Sequence, residues 1–200
     1  MKIKYSLLRL FPLLAIAAIV MSCDDDKPLV PFVNAWPEEN PLPGYMQTTQ
    51  FYQDETIYKD KPQNEIGFAF KPSVKGNLTA LLIKMPDTCK IVRVTVWDKD
   101  TATPILTENV DVTAAGVAIK HTIAPLALEK DKAYAITMNV NDWYNRRRFD
   151  ISSMPFPVTS GNIIVTGSGW GSGSAQVLPE NMSRPNYYDG DISFMFRRTE

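Results

Sequence analysis

Between Ile91 and Trp97 the chain alternates in character. Val92, Val94 and Val96 fall on one side of an extended backbone, and Arg93, Thr95 and Trp97 fall on the other. The same period of two recurs elsewhere. Ile66-Gly67-Phe68-Ala69-Phe70 places its larger side chains at every second position, and Tyr134, Ile136, Met138 and Val140 alternate with Ala135, Thr137 and Asn139. Residues 78–85 form a longer apolar run, broken by Thr79 and Lys84 and ended by Pro86. Residues 105–110 and 117–123 add two more strand patterns, separated by Ala114-Ala115-Gly116. Residues 148–151, 162–166 and 192–196 complete the set. The pattern predicts about nine or ten short strands, with turn chemistry at short, regular intervals.

Helical signals are weak. No stretch of about a dozen residues keeps a 3.6-residue apolar period without meeting a proline or a strand-type run. Strands that each bury one face need a second layer to bury it against. The expectation is therefore an all-β domain over residues 44–200, an antiparallel two-sheet β-sandwich of jelly-roll type. No internal repeat and no second domain is visible.

The start of the chain follows a different logic. Lys2, Lys4 and Arg9 precede an apolar core over residues 11–20, and Val20-Met21-Ser22-Cys23 follows it. This is the form of a secretory signal. The run is short for a spanning helix, which needs about 20 apolar residues; Pro12 interrupts it and Asp24-Asp25-Asp26 ends it. An apolar and a small residue before a cysteine resemble a bacterial lipobox. That resemblance implies removal of residues 1–22 and acylation of Cys23, so that the protein is anchored to the membrane and does not span it. Each buried acyl methylene contributes about 0.8 kcal/mol, so two or three chains hold a protein firmly. The acidic run after Cys23 is similar to the tether of many Bacteroidetes lipoproteins, where such residues favour export to the cell surface. An outer-membrane, lipid-anchored position, displayed at the surface, is expected. Residues 23–43 hold Pro28, Pro31, Pro37, Pro41 and Pro43 and predict a stiff, extended tether.

Composition narrows the function classes. Removing Lys2, Lys4 and Arg9 from the 21 basic residues leaves 18 against 22 acidic ones, which gives no basic surplus for nucleic acid. Of the two cysteines, Cys23 is assigned to lipid, so Cys89 has no partner for an internal disulfide. Cys89 reads as a small buried or half-buried thiol between apolar runs. A single histidine, His121, excludes a His-rich metal site, and its place in Lys120-His121-Thr122 reads as a solvent-facing strand position. No Gly-x-Ser-x-Gly, His-Glu-x-x-His or phosphate-loop pattern occurs. The protein is expected not to be an enzyme and to hold no cofactor or metal.

Six segments carry a family resemblance, in order. They are Glu65-Ile66-Gly67-Phe68-Ala69-Phe70, Leu82-Ile83-Lys84-Met85-Pro86, Arg93-Val94-Thr95-Val96-Trp97-Asp98, Pro104-Ile105-Leu106, residues 125–134, and Asn186-Tyr187-Tyr188-Asp189-Gly190-Asp191-Ile192-Ser193-Phe194. Together they resemble a secreted bacterial β-sandwich module of unknown function, found in extracellular multidomain proteins. The likeness covers residues 65–196. It implies a fold similar to carbohydrate-binding jelly rolls and carries over no catalytic residue. This chain departs from that family's setting by standing as a lone domain behind a lipoprotein signal.

Aromatic and polar groups concentrate in residues 141–148, 167–174 and 184–191, all three read as loops. The apolar C–H faces of a pyranose stack on Trp and Tyr rings, and its hydroxyls need short polar partners. Trp143, Tyr144, Arg146, Trp170 and Tyr187 are thus the expected glycan-contacting residues. The glycine-rich stretch 167–174 is read as a mobile lip or an exposed hairpin loop. Arg146, Arg147 and Arg148 could grip an acidic ligand such as a uronic acid, although alternation lets at most two converge. Asp189-Gly190-Asp191 could form a calcium site or a plain turn. The expectation is a non-catalytic cell-envelope lipoprotein acting in glycan binding or adhesion. The alternative is a structural lipoprotein that assembles with another envelope protein.

Overall fold

In the computed structural model, which describes residues 36–200, twelve strands and one helix are arranged as an antiparallel β-sandwich. The first layer is a six-stranded sheet in the order β5-β4-β7-β2-β10-β9. Its strands are β2 (Asn64–Pro72), β4 (Cys89–Asp98), β5 (Thr103–Val112), β7 (Tyr134–Val140), β9 (Val158–Ser160) and β10 (Ile163–Ser172). The second layer is divided. One part is β12-β3-β6, built from β3 (Gly76–Lys84), β6 (Ile119–Leu128) and β12 (Asp191–Arg198). The other is β1-β8-β11, built from β1 (Asp54–Tyr58), β8 (Trp143–Arg147) and β11 (Tyr188–Asp189). Every pairing is antiparallel. Gly190 (φ 79°) separates β11 from β12, and its N–H donates to Tyr144 O at 2.7 Å. A side chain there would meet Met138 and Ile66, so both the backbone angle and the space call for glycine.

The alternation read from the sequence produces the core. Val92, Val94 and Val96 point inward with Ile66, Phe68, Phe70, Ile136 and Met138, and they meet Leu78, Leu81, Ile83, Ile192, Phe194 and Phe196 from the opposing sheet. Aromatic rings join the layers: Phe68 stacks on Phe194 at 6.0 Å, and Phe70 meets the same ring at 4.7 Å. Full burial of a side chain of this size contributes about 1.5–3 kcal/mol.

The outer face of the large sheet is also covered. Residues 173–182 run across it as a strap, and residues 184–187 pass along β10 to the core-facing side, where Arg184 N donates to Ser168 O at 3.0 Å. Arg93 donates to Ser174 O (2.8 Å) and Ala175 O (3.2 Å), Asn139 Nδ2 to Gly173 O (2.9 Å), and Gln176 Nε2 to Thr107 Oγ1 (2.7 Å). Beneath the strap Trp97, Ala69 and Ala135 pack on Met182. Trp97 Nε1 donates to Thr137 Oγ1 (2.8 Å), Thr137 Oγ1 donates to Glu65 Oε1 (2.5 Å), and Glu65 pairs with Arg93 at 2.7 Å. The polar half of the β4 pattern is therefore a hydrogen-bonded network, buried at Thr95 and Trp97 and open to solvent at Arg93.

The hydrophobic pattern predicts no helix where α1 (Pro41–Thr49) forms. Asn40 caps it, accepting from Leu42 N at 3.1 Å, and Gln50 (φ 60°) closes it with its N–H on Met46 O. Pro41 and Pro43 fall at its first and third positions, where the backbone N–H groups have no intrahelical acceptor to lose. Prolines that read as a stiff tether are here compatible with a helical first turn.

The signal segment, Cys23 and residues 23–35 of the expected tether lie outside the described residues. The described part of that segment, 36–43, is tied to the sandwich. Glu39 exchanges both backbone hydrogen bonds with Phe196 (2.7 and 2.8 Å). Glu38 accepts from Thr79 (2.7 Å) and pairs with Lys120 (2.8 Å), and the Lys120 hydrogen bond leads the effects that hold its carboxyl below the usual range. Trp36 lies under the Arg198 guanidinium at 3.9 Å. Among the described residues no helix is long and apolar enough to cross a membrane.

Candidate functional site

Two of the three segments read as loops are strands. Residues 143–147 form β8, held between β1 and β11 by the registers Tyr58↔Trp143, Thr56↔Asn145 and Asn145↔Asp189. Residues 167–172 belong to β10, which continues past a register shift between Val165 and Gly167. Of the strand expected at 148–151, nothing remains: β8 ends at Arg147, and Arg148 donates to Thr49 O at 2.7 Å.

The glycines of β10 have a packing cause. The strap backbone passes directly over them, and a Cβ at Gly167 or Gly169 would collide with the carbonyl oxygen of Met182 or Asn181. With Gly167, Gly169 and Gly171 under the strap, Ser168, Trp170 and Ser172 take the other face. There Trp170 stands opposite Ile66, and Ser172 opposite Asn64. This is the core-facing side of the sheet, prolonged beyond the last buried aliphatic residue. The expected mobile lip is thus a paired strand with one wall of a cleft on it.

That cleft, of about 450 Å³, opens between β8 and the ends of β2 and β10. Its aromatic walls are Trp143, Tyr58, Trp170 and Tyr187. Trp143 and Tyr58 stack at 5.1 Å with 26° between their planes. Trp170 is 45 % exposed and stands as a ridge, with a second hollow of about 440 Å³ behind it along the strap. Polar groups fill the gaps: Asn64, Asn145 and Ser172, with Lys61, Arg147 and Arg184.

Asp189 is the one acidic group on the wall, and it is buried. It accepts from Asn145 Nδ2 at 2.5 Å and from Arg184 Nη1 at 2.9 Å. Burial pushes its pKa up, and Asn145, Arg184 and Trp143 pull against that. The Trp143 indole N–H is close enough to Asp189 to act on it, yet is buried without a hydrogen bond of normal geometry among the described residues. Ser168 Oγ donates to Tyr187 O at 3.1 Å, which ties the segment bearing Arg184 and Tyr187 to β10.

The five residues expected to contact a glycan divide by the pleat of β8. Trp143, Trp170 and Tyr187 are brought together in the cleft. Tyr144 and Arg146 point to the opposite face. Tyr144 is buried, under the Lys84 ammonium at 4.8 Å, and burial leads the effects that raise its pKa. Arg146 grips Asp191 with two 2.6 Å hydrogen bonds and also pairs with Glu55 at 2.7 Å. Tyr58, Lys61 and Asn64 line the cleft from outside the three segments, Asn145 and Arg184 come from within them, and of the three arginines considered for an acidic ligand Arg147 alone faces it. Alternation along 143–147 was the available signal: once Trp143 is placed in a site, Asn145 and Arg147 follow and Tyr144 and Arg146 do not.

Asp189 and Asp191 do not converge. One faces Arg184 and the other Arg146, so the Asp189-Gly190-Asp191 segment works as a turn between strands. No group of three His, Cys, Asp or Glu side chains is arranged for a metal among the described residues. His121 is half-buried, with Nε2 3.4 Å from Glu108 on β5. Cys89 is half-buried, and burial raises its thiol pKa. No protein-family model matches the chain, and no curated protein matches it.

Proposed function

We propose that the protein is a non-catalytic cell-envelope lipoprotein, held by acylated Cys23 at the outer membrane, whose sandwich binds glycans or mediates adhesion through this cleft. The observation that carries the reading is the wall chemistry. The Tyr58–Trp143 stack, Trp170 and Tyr187 surround one concavity with short polar side chains between them. Flat rings offer the apolar contact that a sugar face needs, while Asn64, Asn145 and Ser172 suit its hydroxyls.

The test is a glycan array probed with the full chain, followed by titration of any hit. Trp170→Ala is the informative variant, because the ring is exposed and its loss leaves no core cavity. It is expected to weaken binding by about 1 kcal/mol, the usual worth of an aromatic contact beyond its area, with no fall in unfolding temperature. Silence of the folded protein across the array would overturn the reading. Mass analysis of the mature N-terminus checks the anchor; an unmodified Cys23 would remove it.

A second reading, assembly with another envelope protein, draws on a different face. Phe149 is 76 % exposed and Tyr52 57 % exposed, and Phe149 N donates to Gln53 at 3.4 Å. β1, next to them, is an edge strand. A photo-crosslinker at position 149 that yields one defined envelope adduct in cells would favour this reading over the first.

A further inference from the structure

We infer that the cleft selects acidic saccharides, those carrying a carboxylate or sulfate on a sugar unit; this rests on the glycan reading above. The argument is an account of donors and acceptors. Three cations, Lys61, Arg147 and Arg184, line the cleft against a single carboxylate, Asp189, in a chain whose formal net charge is −1. Asp189 is already committed: one oxygen accepts from Asn145 and the other from Arg184. It has little left to offer a sugar hydroxyl.

The cations are far from saturated. A guanidinium has five N–H donors. Arg184 uses Nη1 on Asp189, and Arg147 uses Nε on Asp54 at 2.6 Å. Both arginines flank Tyr187; the Arg184 guanidinium lies 4.8 Å from its ring centroid. Lys61 Nζ lies 5.8 Å from the Tyr58 ring and takes part in no ion pair among the described residues. The indole N–H of Trp143 is buried and turned toward Asp189, so it is not counted among the donors open to a ligand.

A neutral hydroxyl both donates and accepts, so it answers this excess only in part. A carboxylate or sulfate is acceptor-only and takes paired bonds from a guanidinium. The aromatic walls fix the class of carrier: a flat ring face suits a pyranose, whereas an acidic peptide would leave the Tyr58–Trp143 stack and Trp170 without a matching surface.

The test uses the purified full chain and pairs of oligosaccharides. Uronate-bearing oligomers are titrated against their carboxyl methyl esters, and sulfated oligomers against their desulfated forms. An oligoglutamate peptide is the third arm. Binding of at least one acidic member about tenfold tighter than its neutral twin is expected, a ratio worth ~1.4 kcal/mol. Raising the salt from about 0.05 to about 0.5 M, which shortens the screening length about threefold, should erase most of that preference. Lys61→Gln should reduce the preference several-fold without altering the unfolding temperature, since Lys61 is exposed. The uronate and sulfate arms tell the two sources of negative charge apart. Equal or tighter binding of the neutral twins overturns the inference and leaves the glycan reading standing. Binding of the peptide alone, or of no saccharide at all, overturns both.

Discussion

Arg146 and Arg147 are adjacent on β8 and stand in unlike surroundings. Arg146 faces Asp191 and Glu55; its bonds to Asp191 are bidentate, and its side chain is 14 % exposed against 6 % for Asp191. Arg147 faces the cleft, makes one hydrogen bond to Asp54, and both members of that pair are about 30 % exposed. The same contrast holds for the acids on either side of Gly190. Asp191 belongs to the closed face and Asp189 to the cleft. One strand therefore carries a structural clasp on one side and open donors on the other. The type of residue does not decide its role; what decides it is whether its donors are already spent.

The largest expected effect tests that division directly. Arg146→Met leaves Asp191 buried with only Lys84 nearby, at 3.9 Å, and should cost about 3 kcal/mol in urea denaturation, the low end for breaking a buried pair. Arg147→Met should cost less than about 1 kcal/mol, as for an exposed pair, while weakening acidic ligands. Equal losses in the two variants would break the comparison.

The wall on which Trp170 stands gives the next effect. Gly169→Ala sets a methyl group against the Asn181 carbonyl and should cost about 1–3 kcal/mol as overpacking, with faster proteolysis of residues 173–182. Gly171→Ala meets only ordinary contact with Pro179 at 3.6 Å, so it should leave the strap intact. If both variants lose the strap alike, close backbone approach is not what keeps glycine at position 169.

The smallest effect is a pH dependence. Burial raises the folded pKa of Asp189 above its ordinary value of 3.8. The native state therefore binds this proton more tightly than the unfolded chain. The stabilisation from it is complete below about pH 3.8 and is lost as pH rises through the higher folded value. Wild type should lose stability relative to Asp189→Asn as pH rises above about 4, measured by denaturation at each pH. A difference that stays constant or changes the other way would place the charged carboxylate in a better-solvated setting than its 6 % exposure implies.

Much of the sandwich was legible. Strands with one face in an apolar core announce themselves by period two, as β2, β4, β7 and β12 do. The strands that build the cleft do not. In β8 both faces are polar or aromatic, because one lines the cleft and the other holds ion pairs, so there is no apolar stripe to detect. In β10 the glycines under the strap imitate a flexible loop. In α1 the prolines imitate an extended tether.

Alternation was enough to show which face of each apolar strand is buried, and it left Trp143, Tyr144, Trp170 and Tyr187 alike as rings outside the core pattern. The assembled sheets sent Tyr144 to the opposite face and chose the neighbours of the other three. A pleat assigns adjacent residues to opposite sides, and contacts across more than a hundred positions, such as those of Glu39 with Phe196 and Asn162, fix what each side meets. Local pattern records the cost of exposing apolar surface; it does not record which partner a charge will find.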